Sequence, residues 1–358
     1  MQANLLTVPN PTSKKIAPTT ATGSFPHDEG QQLSQLLVSC LDIPCWPQLP
    51  RRNFRERMYV QYSTSLPAIK LDEARERVYF DTSADITEAL EHFYSNYLAE
   101  DLAAFGLDPE YASGFYVLLD VLDFESDGWV KGQVTGPISF GLTVTDQDFC
   151  PSLYNDLLAD TIVKNMACNA RWQIRQLRSV RPNVILFVDE PYLAAFGSAF
   201  VSLERQQAVT MLDEVFAAIH QEGALAGVHC CANTDWSVLL ATTVDILNID
   251  AYGYLENLAL YSAELRSFLD RGGLIAWGIV PNSEEIYAAT PERLAKRLLQ
   301  GLEFIQTKAG GRGIDLNVTE LVRRSLITTS CGLGPTTVPV AEQAMEFLNA
   351  TGEIIRQF

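Results

Sequence analysis

Ala224-Leu225-Ala226-Gly227-Val228-His229-Cys230-Cys231-Ala232-Asn233-Thr234 is a short apolar run that ends in side chains able to bind a metal. In an extended chain, residues two apart point to the same side. His229 and Cys231 therefore leave the strand end together, an imidazole beside a thiol. Cys230 points the other way, into packing. The same form recurs on either side. Val184-Ile185-Leu186-Phe187-Val188 ends in Asp189-Glu190-Pro191, and Val244-Asp245-Ile246-Leu247-Asn248-Ile249 ends in Asp250. Leu274 to Val280 ends in Pro281-Asn282, and Leu326-Ile327-Thr328-Thr329-Ser330 ends in Cys331-Gly332-Leu333-Gly334.

Helical spacing fills the intervals at 204–221, 235–242, 258–270 and 291–307, with a closing helix over 339–357. Upstream, 29–40, 85–103, 109–123 and 154–180 are helical. Thr19-Thr20-Ala21-Thr22-Gly23-Ser24-Phe25-Pro26-His27 and Trp129-Val130-Lys131-Gly132-Gln133-Val134-Thr135-Gly136-Pro137 each give a strand closed by a turn. Near-continuous apolar strands alternating with helices are what a parallel sheet covered on both faces requires. Strands are expected near 19–25, 129–135, 184–189, 224–229, 245–250, 274–280 and 326–331, with an eighth inside 55–82 or 112–122. The expected fold class is α/β: an eight-stranded (β/α) TIM barrel forming one domain over 18–358, behind a flexible arm at 1–17. An open doubly wound sheet is the other solution, but no glycine-rich dinucleotide fingerprint follows the first strand. Glu76-Arg77-Val78-Tyr79-Phe80 reads as a hairpin arm. Ile43-Pro44-Cys45-Trp46-Pro47-Gln48-Leu49-Pro50 carries too many prolines for a helix.

The chain has 358 residues, 47% of them apolar and 20% charged, so it can bury a large core. A net charge of −18 argues against a nucleic-acid or anionic-membrane binder, either of which needs a basic face. The apolar runs are short for a membrane span, and no secretory signal pattern opens the chain, so the cytoplasm is the expected compartment. Seven cysteines at irregular spacing read as reduced thiols rather than a disulfide framework.

In a barrel of this kind chemistry sits at the C-terminal strand ends. Those ends carry Ser24 and His27, Gly136, Asp189 and Glu190, His229 and Cys231, Asp250, Asn282, and Cys331. Three of them, His229, Cys231 and Cys331, offer an imidazole and two thiols, the donor set of a zinc site with one open position. Asp250, water or a substrate thiol would fill that position. Such a site favours a thiol substrate, because zinc lowers a bound thiol's pKa. Asp189 suits a substrate amine or proton transfer, with Glu190 as a structural helix cap. Gly23-Ser24 offers amides and a hydroxyl to a carboxylate, or is an ordinary tight turn.

Taken in order, Thr22-Gly23-Ser24-Phe25-Pro26, Thr135-Gly136-Pro137, Asp189-Glu190-Pro191, His229-x-Cys231 and Cys331-Gly332-Leu333 resemble the catalytic barrel of cobalamin-independent methionine synthase. They also resemble the related corrinoid:thiol methyltransferases of the uroporphyrinogen-decarboxylase-like superfamily. His229-Cys230-Cys231-Ala232-Asn233-Thr234 is similar to the His-x-Cys-Gly-Asn-Thr of coenzyme M methyltransferases. The resemblance spans about residues 19–335. It implies a zinc held by His229, Cys231 and Cys331, with a carboxylate as fourth ligand. That carboxylate is a Glu in the family and Asp250 here. It further implies that Gly23, Ser24 and Asp189 hold the amino-acid part of homocysteine.

The expected function is thus a zinc-dependent methyltransferase acting on a small thiol, homocysteine or a coenzyme M-like compound. The full-length synthase has a second barrel for folate, for which 358 residues leave no room. A methyl-corrinoid, free or on a partner corrinoid protein, is accordingly the expected donor. Two alternatives stand beside this: a metal-free tetrapyrrole decarboxylase using Arg51, Arg52 and Arg55, and a corrinoid-binding barrel without turnover.

Overall fold

The computed structural model describes residues 10–125, 127–198 and 201–358. Nine strands run through it: β1 (Ile69–Asp72), β2 (Arg77–Phe80), β3 (Trp129–Thr135), β4 (Thr145–Asp146), β5 (Asn183–Asp189), β6 (Leu225–Cys230), β7 (Ile246–Ile249), β8 (Leu274–Val280) and β9 (Ser325–Thr329). Six of them form one curled parallel sheet in the order β3-β5-β6-β7-β8-β9. β1 and β2 pair antiparallel as the expected hairpin arm, to which β4 adds a short parallel edge.

The regular ladder does not close, and this corrects the expectation of eight laddered strands. Two extended segments occupy the gap between β9 and β3. In the first, Thr20 N donates to Ile327 O at 3.0 Å, and Ile327 N donates to Pro18 O at 3.0 Å. In the second, Lys131 N donates to Pro44 O at 2.8 Å. The two segments meet through Ile43 N to Thr19 O at 3.0 Å and Phe25 N to Gln48 O at 2.9 Å. They make isolated bridges rather than ladders. Pro44 and Pro47 explain why: a proline has no N–H to give, so a continuous ladder is impossible there. The segment sought in 55–82 or 112–122 is therefore the proline-rich stretch 43–48. Residues 113–121 are helical, as the reading of 109–123 predicts.

Alternation along each strand sorts side chains between two cores. Val184, Leu186 and Val188 join the large core under the helices, whereas Ile185 and Phe187 join Ile43, Ile246, Leu274, Ala276 and Leu326 in a second cluster inside the curl. Continuing the inward set by two residues reaches Asp189 on β5 and, past Gly227, His229 on β6. Each large apolar side chain buried this way contributes about 1.5–3 kcal/mol. The remaining expected helices appear within a few residues of their predicted bounds, for example Asp156–Leu177 and Arg205–Gln221. The former starts where the Asn155 side chain accepts from Leu157 N and Leu158 N.

Of the arm expected at 1–17, residues 1–9 lie outside the described residues. Within 10–17, Lys14 and Lys15 pair with Asp127 and Asp42, and Ala17 is buried. No helix among the described residues is long and apolar enough to cross a membrane.

Candidate metal centre

His229 sits at the end of β6, fully buried, and Cys231 follows where the strand gives way to a bend. Cys331 arrives from the bend after β9. His229 Nε2 lies 3.1 Å from Cys231 Sγ, and the two sulfurs are 2.8 Å apart. The three ligand atoms lie within 4.8 Å of one another, close enough to share one ion. Cys230 is buried on the opposite side of the strand, as alternation requires. All seven cysteines are free thiols.

The imidazole is held in one orientation. Asn248, the residue paired with His229 across β6 and β7, donates its Nδ2 to Ala276 O at 2.7 Å and to Thr328 Oγ1 at 3.0 Å. Its Oδ1 therefore faces His229, and Nδ1–H of the imidazole donates to it at 2.6 Å. The free lone pair is left on Nε2, which points at the two sulfurs. An outer partner that fixes ring and tautomer is the arrangement metal-bound histidines have. The donor set, its proximity and the tautomer all fit zinc. Losing such an outer partner typically weakens metal affinity about 10- to 100-fold. Asn248→Ala is expected to weaken zinc binding by that factor while the chain stays folded. Competition with a fluorescent chelator measures it, and unchanged affinity would contradict this role.

The thiols are not equivalent. The hydrogen bond shared with Cys231 holds Cys331 far below the ordinary thiol range; burial opposes this, and His229 adds to it. Cys231 is correspondingly pushed up, by its bond to Cys331 and by burial. Burial disfavours a charged His229, but the adjacent Cys331 sulfur outweighs it and raises the imidazole above its usual value. A cation at this cluster competes directly with these protons.

Asp250 is not among the three clustered residues. Its Oδ1 accepts from Gly253 N at 2.7 Å and caps the short helix Ala251–Tyr254.

The cluster opens into a cavity of about 460 Å³ whose lining includes Ser24, Asp189, Asn282 and Gly332. Asp189 is buried, and its Oδ1 has no hydrogen-bond partner. Burial pushes its carboxyl up to about 6, although Lys131 and His229 pull the other way. Ser24 reaches the cavity through a strained turn. Gly23 has φ +134°, and a Cβ there would meet the Gln133 side chain at 2.8 Å. From below, Lys131 is fully buried and donates from Nζ to Thr22 O at 2.7 Å. Thr22 and Ser24 line the cavity, whereas Gly23 sets the turn. His27 lies outside the lining, 3.9 Å from Glu342.

Glu190 is structural, as expected, but it caps a neighbouring helix rather than its own. Its carboxylate accepts from Ile138 N at 3.0 Å, Ser139 N at 2.8 Å and Ser139 Oγ at 2.6 Å, at the start of the helix Pro137–Thr143. The Thr135-Gly136-Pro137 and Asp189-Glu190-Pro191 motifs thus interlock. A Cβ on Gly136 would stand 2.1 Å from the Glu190 carboxyl carbon. Gly136→Ala is expected to cost about 1–3 kcal/mol, read as a lower thermal midpoint. An unchanged midpoint would contradict the interlock.

Several residues of this site were not singled out from sequence. Asn248 and Lys131 were legible, each being polar at an inward position of an apolar strand. Gln48, Glu56, Met58 and Tyr59, which also line the cavity, come from the proline-rich segment and from helical turns too short to show a periodic signal. Of the arginines proposed for porphyrin carboxylates, Arg51 lines the cavity, whereas Arg52 and Arg55 are held in ion pairs. Arg51 donates to Pro335 O at 2.8 Å, Arg52 pairs with Glu56 at 2.5 Å, and Arg55 pairs with Glu73 and Glu110.

Fold and cluster together define a class: an α/β protein with a curled parallel sheet, carrying a His-Cys-Cys group that could hold a metal at the sheet's C-terminal edge. No family model matches the chain, and no curated protein matches it. Among solved structures, a B12-independent methionine synthase from Shewanella sp. W3-18-1, in complex with selenomethionine, is similar with a TM-score of 0.56. Sequence identity is 16%, over 96% of this chain and 98% of that chain. At that identity the likeness is one of fold.

Proposed function

We propose that this protein is a zinc-dependent methyltransferase whose acceptor is a small thiol bearing an amino group, of which homocysteine is the simplest fit. One observation carries the reading: the His229-Cys231-Cys331 cluster shares its cavity with the unpartnered Asp189 oxygen. Zinc bound there supplies Lewis acidity that keeps a thiol deprotonated at neutral pH. His229, Cys231 and Cys331 would hold it, and Asn248 would orient the imidazole. Asp250 caps the helix Ala251–Tyr254 through Oδ1, so it is assigned no further role. Asp189 accepts from the substrate ammonium, and the Gly23-Ser24 turn positions the Ser24 hydroxyl for its carboxylate. Met58, Tyr59, Pro50 and Pro335 give the same cavity part of its apolar wall.

Residues 18–358 form one domain, a (β/α)8 barrel in which the segments near 19–25 and 43–48 serve as irregular first and second members. The likeness to a methionine synthase solved with selenomethionine supports a methyl-transfer role. That chain is matched over 98% of its length, so chain length is no argument for a corrinoid donor or a corrinoid-protein partner.

The test is to supply reduced, zinc-loaded protein with homocysteine and methyl iodide and to follow methionine by mass spectrometry. Protein-dependent methionine is expected; formation no faster than without protein would reject the proposal.

A further inference from the structure

Lys131 is the only buried lysine among the described residues, and the proposed chemistry gives it no task. It stands on the inward face of β3. Its Nζ donates to Thr22 O at 2.7 Å and to Gln133 Oε1 at 3.3 Å, and lies 4.6 Å from the centre of the Phe187 ring. Two carbonyl oxygens and a ring face are the surroundings of an ammonium. Burial pushes that ammonium below the usual lysine range, while Cys45 and Asp189 oppose the shift. Both of its hydrogen-bond acceptors are uncharged, and Asp189 acts on it only through space. A buried cation without a carboxylate in contact is costly, so its retention calls for a reason.

The turn above it supplies one. Lys131 holds Thr22 O, and Gln48 N donates to Gly23 O at 2.9 Å. Gln133, which Lys131 also holds, fills the place a Gly23 Cβ would need. On the far side Ser24 O accepts from Leu333 N at 2.9 Å, so the Ser24 side chain enters the cavity from a backbone fixed at both ends. An ammonium on Thr22 O also polarises the Thr22–Gly23 peptide and strengthens its N–H as a donor. We infer that Lys131 is a positioning residue whose ammonium, held behind the Thr22-Gly23-Ser24 turn, fits the cavity to a thiol that carries a carboxylate. This rests on the proposed function and deepens it. Asp189 and Lys131 become a fixed pair of opposite charges matched to those of an amino acid, one facing its ammonium and the other backing the turn that takes its carboxylate.

Lys131→Met tests this, because methionine keeps much of the length and drops the ammonium. Zinc content and circular dichroism establish that the variant is folded; Lys131→Gln, which lacks the charge but can still donate to Thr22 O, replaces it if it is not. The full zinc-loaded chain is titrated by calorimetry at about pH 8, where Asp189, pushed up to about 6, is ionised. Three thiols are compared: homocysteine, 3-mercaptopropionate without the amine, and 3-mercaptopropylamine without the carboxylate. Homocysteine and 3-mercaptopropionate are expected to bind the variant at least about tenfold more weakly, and 3-mercaptopropylamine no more weakly than it binds wild type. Equal losses for all three thiols, or no loss for any, overturn the inference and leave the proposed function standing. Wild type that binds 3-mercaptopropylamine as tightly as homocysteine also overturns it, because the carboxylate is then not recognised. Wild type that binds no thiol removes the proposed function and this inference with it.

Discussion

Replacing Cys331 by alanine is expected to abolish methyl transfer and zinc binding together. The site has three protein donors within 4.8 Å of one another, and Cys331 is the one that arrives from a separate strand. Its removal leaves His229 and Cys231, two ligands on one short stretch, which do not hold zinc in the face of a competing chelator. Outer partners alone cost about 10- to 100-fold in affinity, so losing a direct ligand costs more than about 100-fold. Cys331 is only half-buried, in a bend after β9, and its side chain adds little to the core. The variant therefore stays folded by circular dichroism. Zinc per chain after dialysis against a chelator, measured beside methionine formation, decides the matter. A folded Cys331→Ala protein that keeps its zinc would remove this residue from the ligand set.

Asp189→Asn acts on recognition rather than on metal. A charge-assisted hydrogen bond is worth about 1.5–3 kcal/mol, so the KM for homocysteine rises about 10- to 100-fold. A thiol without an amine, such as 3-mercaptopropionate, is unaffected, and so is zinc content. The pH profile carries the same signature. Burial raises the Asp189 carboxyl to about 6, and only the ionised form pairs with ammonium. Affinity for homocysteine is therefore full above that value and is lost as pH falls through about 6. In Asp189→Asn that loss disappears. Equal effects on the two thiols, or a pH profile that the substitution leaves unmoved, would contradict the assigned role.

Much of this was legible in the chain because alternation and strand ends are local signals. His229 and Cys231 two apart, Asp189 two beyond Phe187, and Cys331 after an apolar run all follow from period-two reading. Asn248 obeys the same rule, but an Asn inside an apolar strand reads as tolerance rather than function. The segment 43–48 does not read as a strand because Pro44 and Pro47 remove hydrogen bonds that define one, while Pro44 O, Trp46 N and Gln48 N still bond to Lys131 and Gly23. Asp250 stands two beyond Asn248, where a ligand belongs by spacing. Nothing in spacing reveals that its carboxylate caps the following turn. Glu190 was expected to cap its own helix; its partners on 138–139 are tertiary and have no trace in local sequence.

Zinc-edge X-ray absorption on the reduced wild-type protein decides whether this cluster is a zinc site whose open position takes a thiol. About one zinc per chain is expected, with two sulfur neighbours and a nitrogen neighbour at imidazole distance, and a third sulfur once homocysteine is added. Protein that takes up no stoichiometric zinc, or a sulfur count that stays at two with homocysteine present, would contradict it.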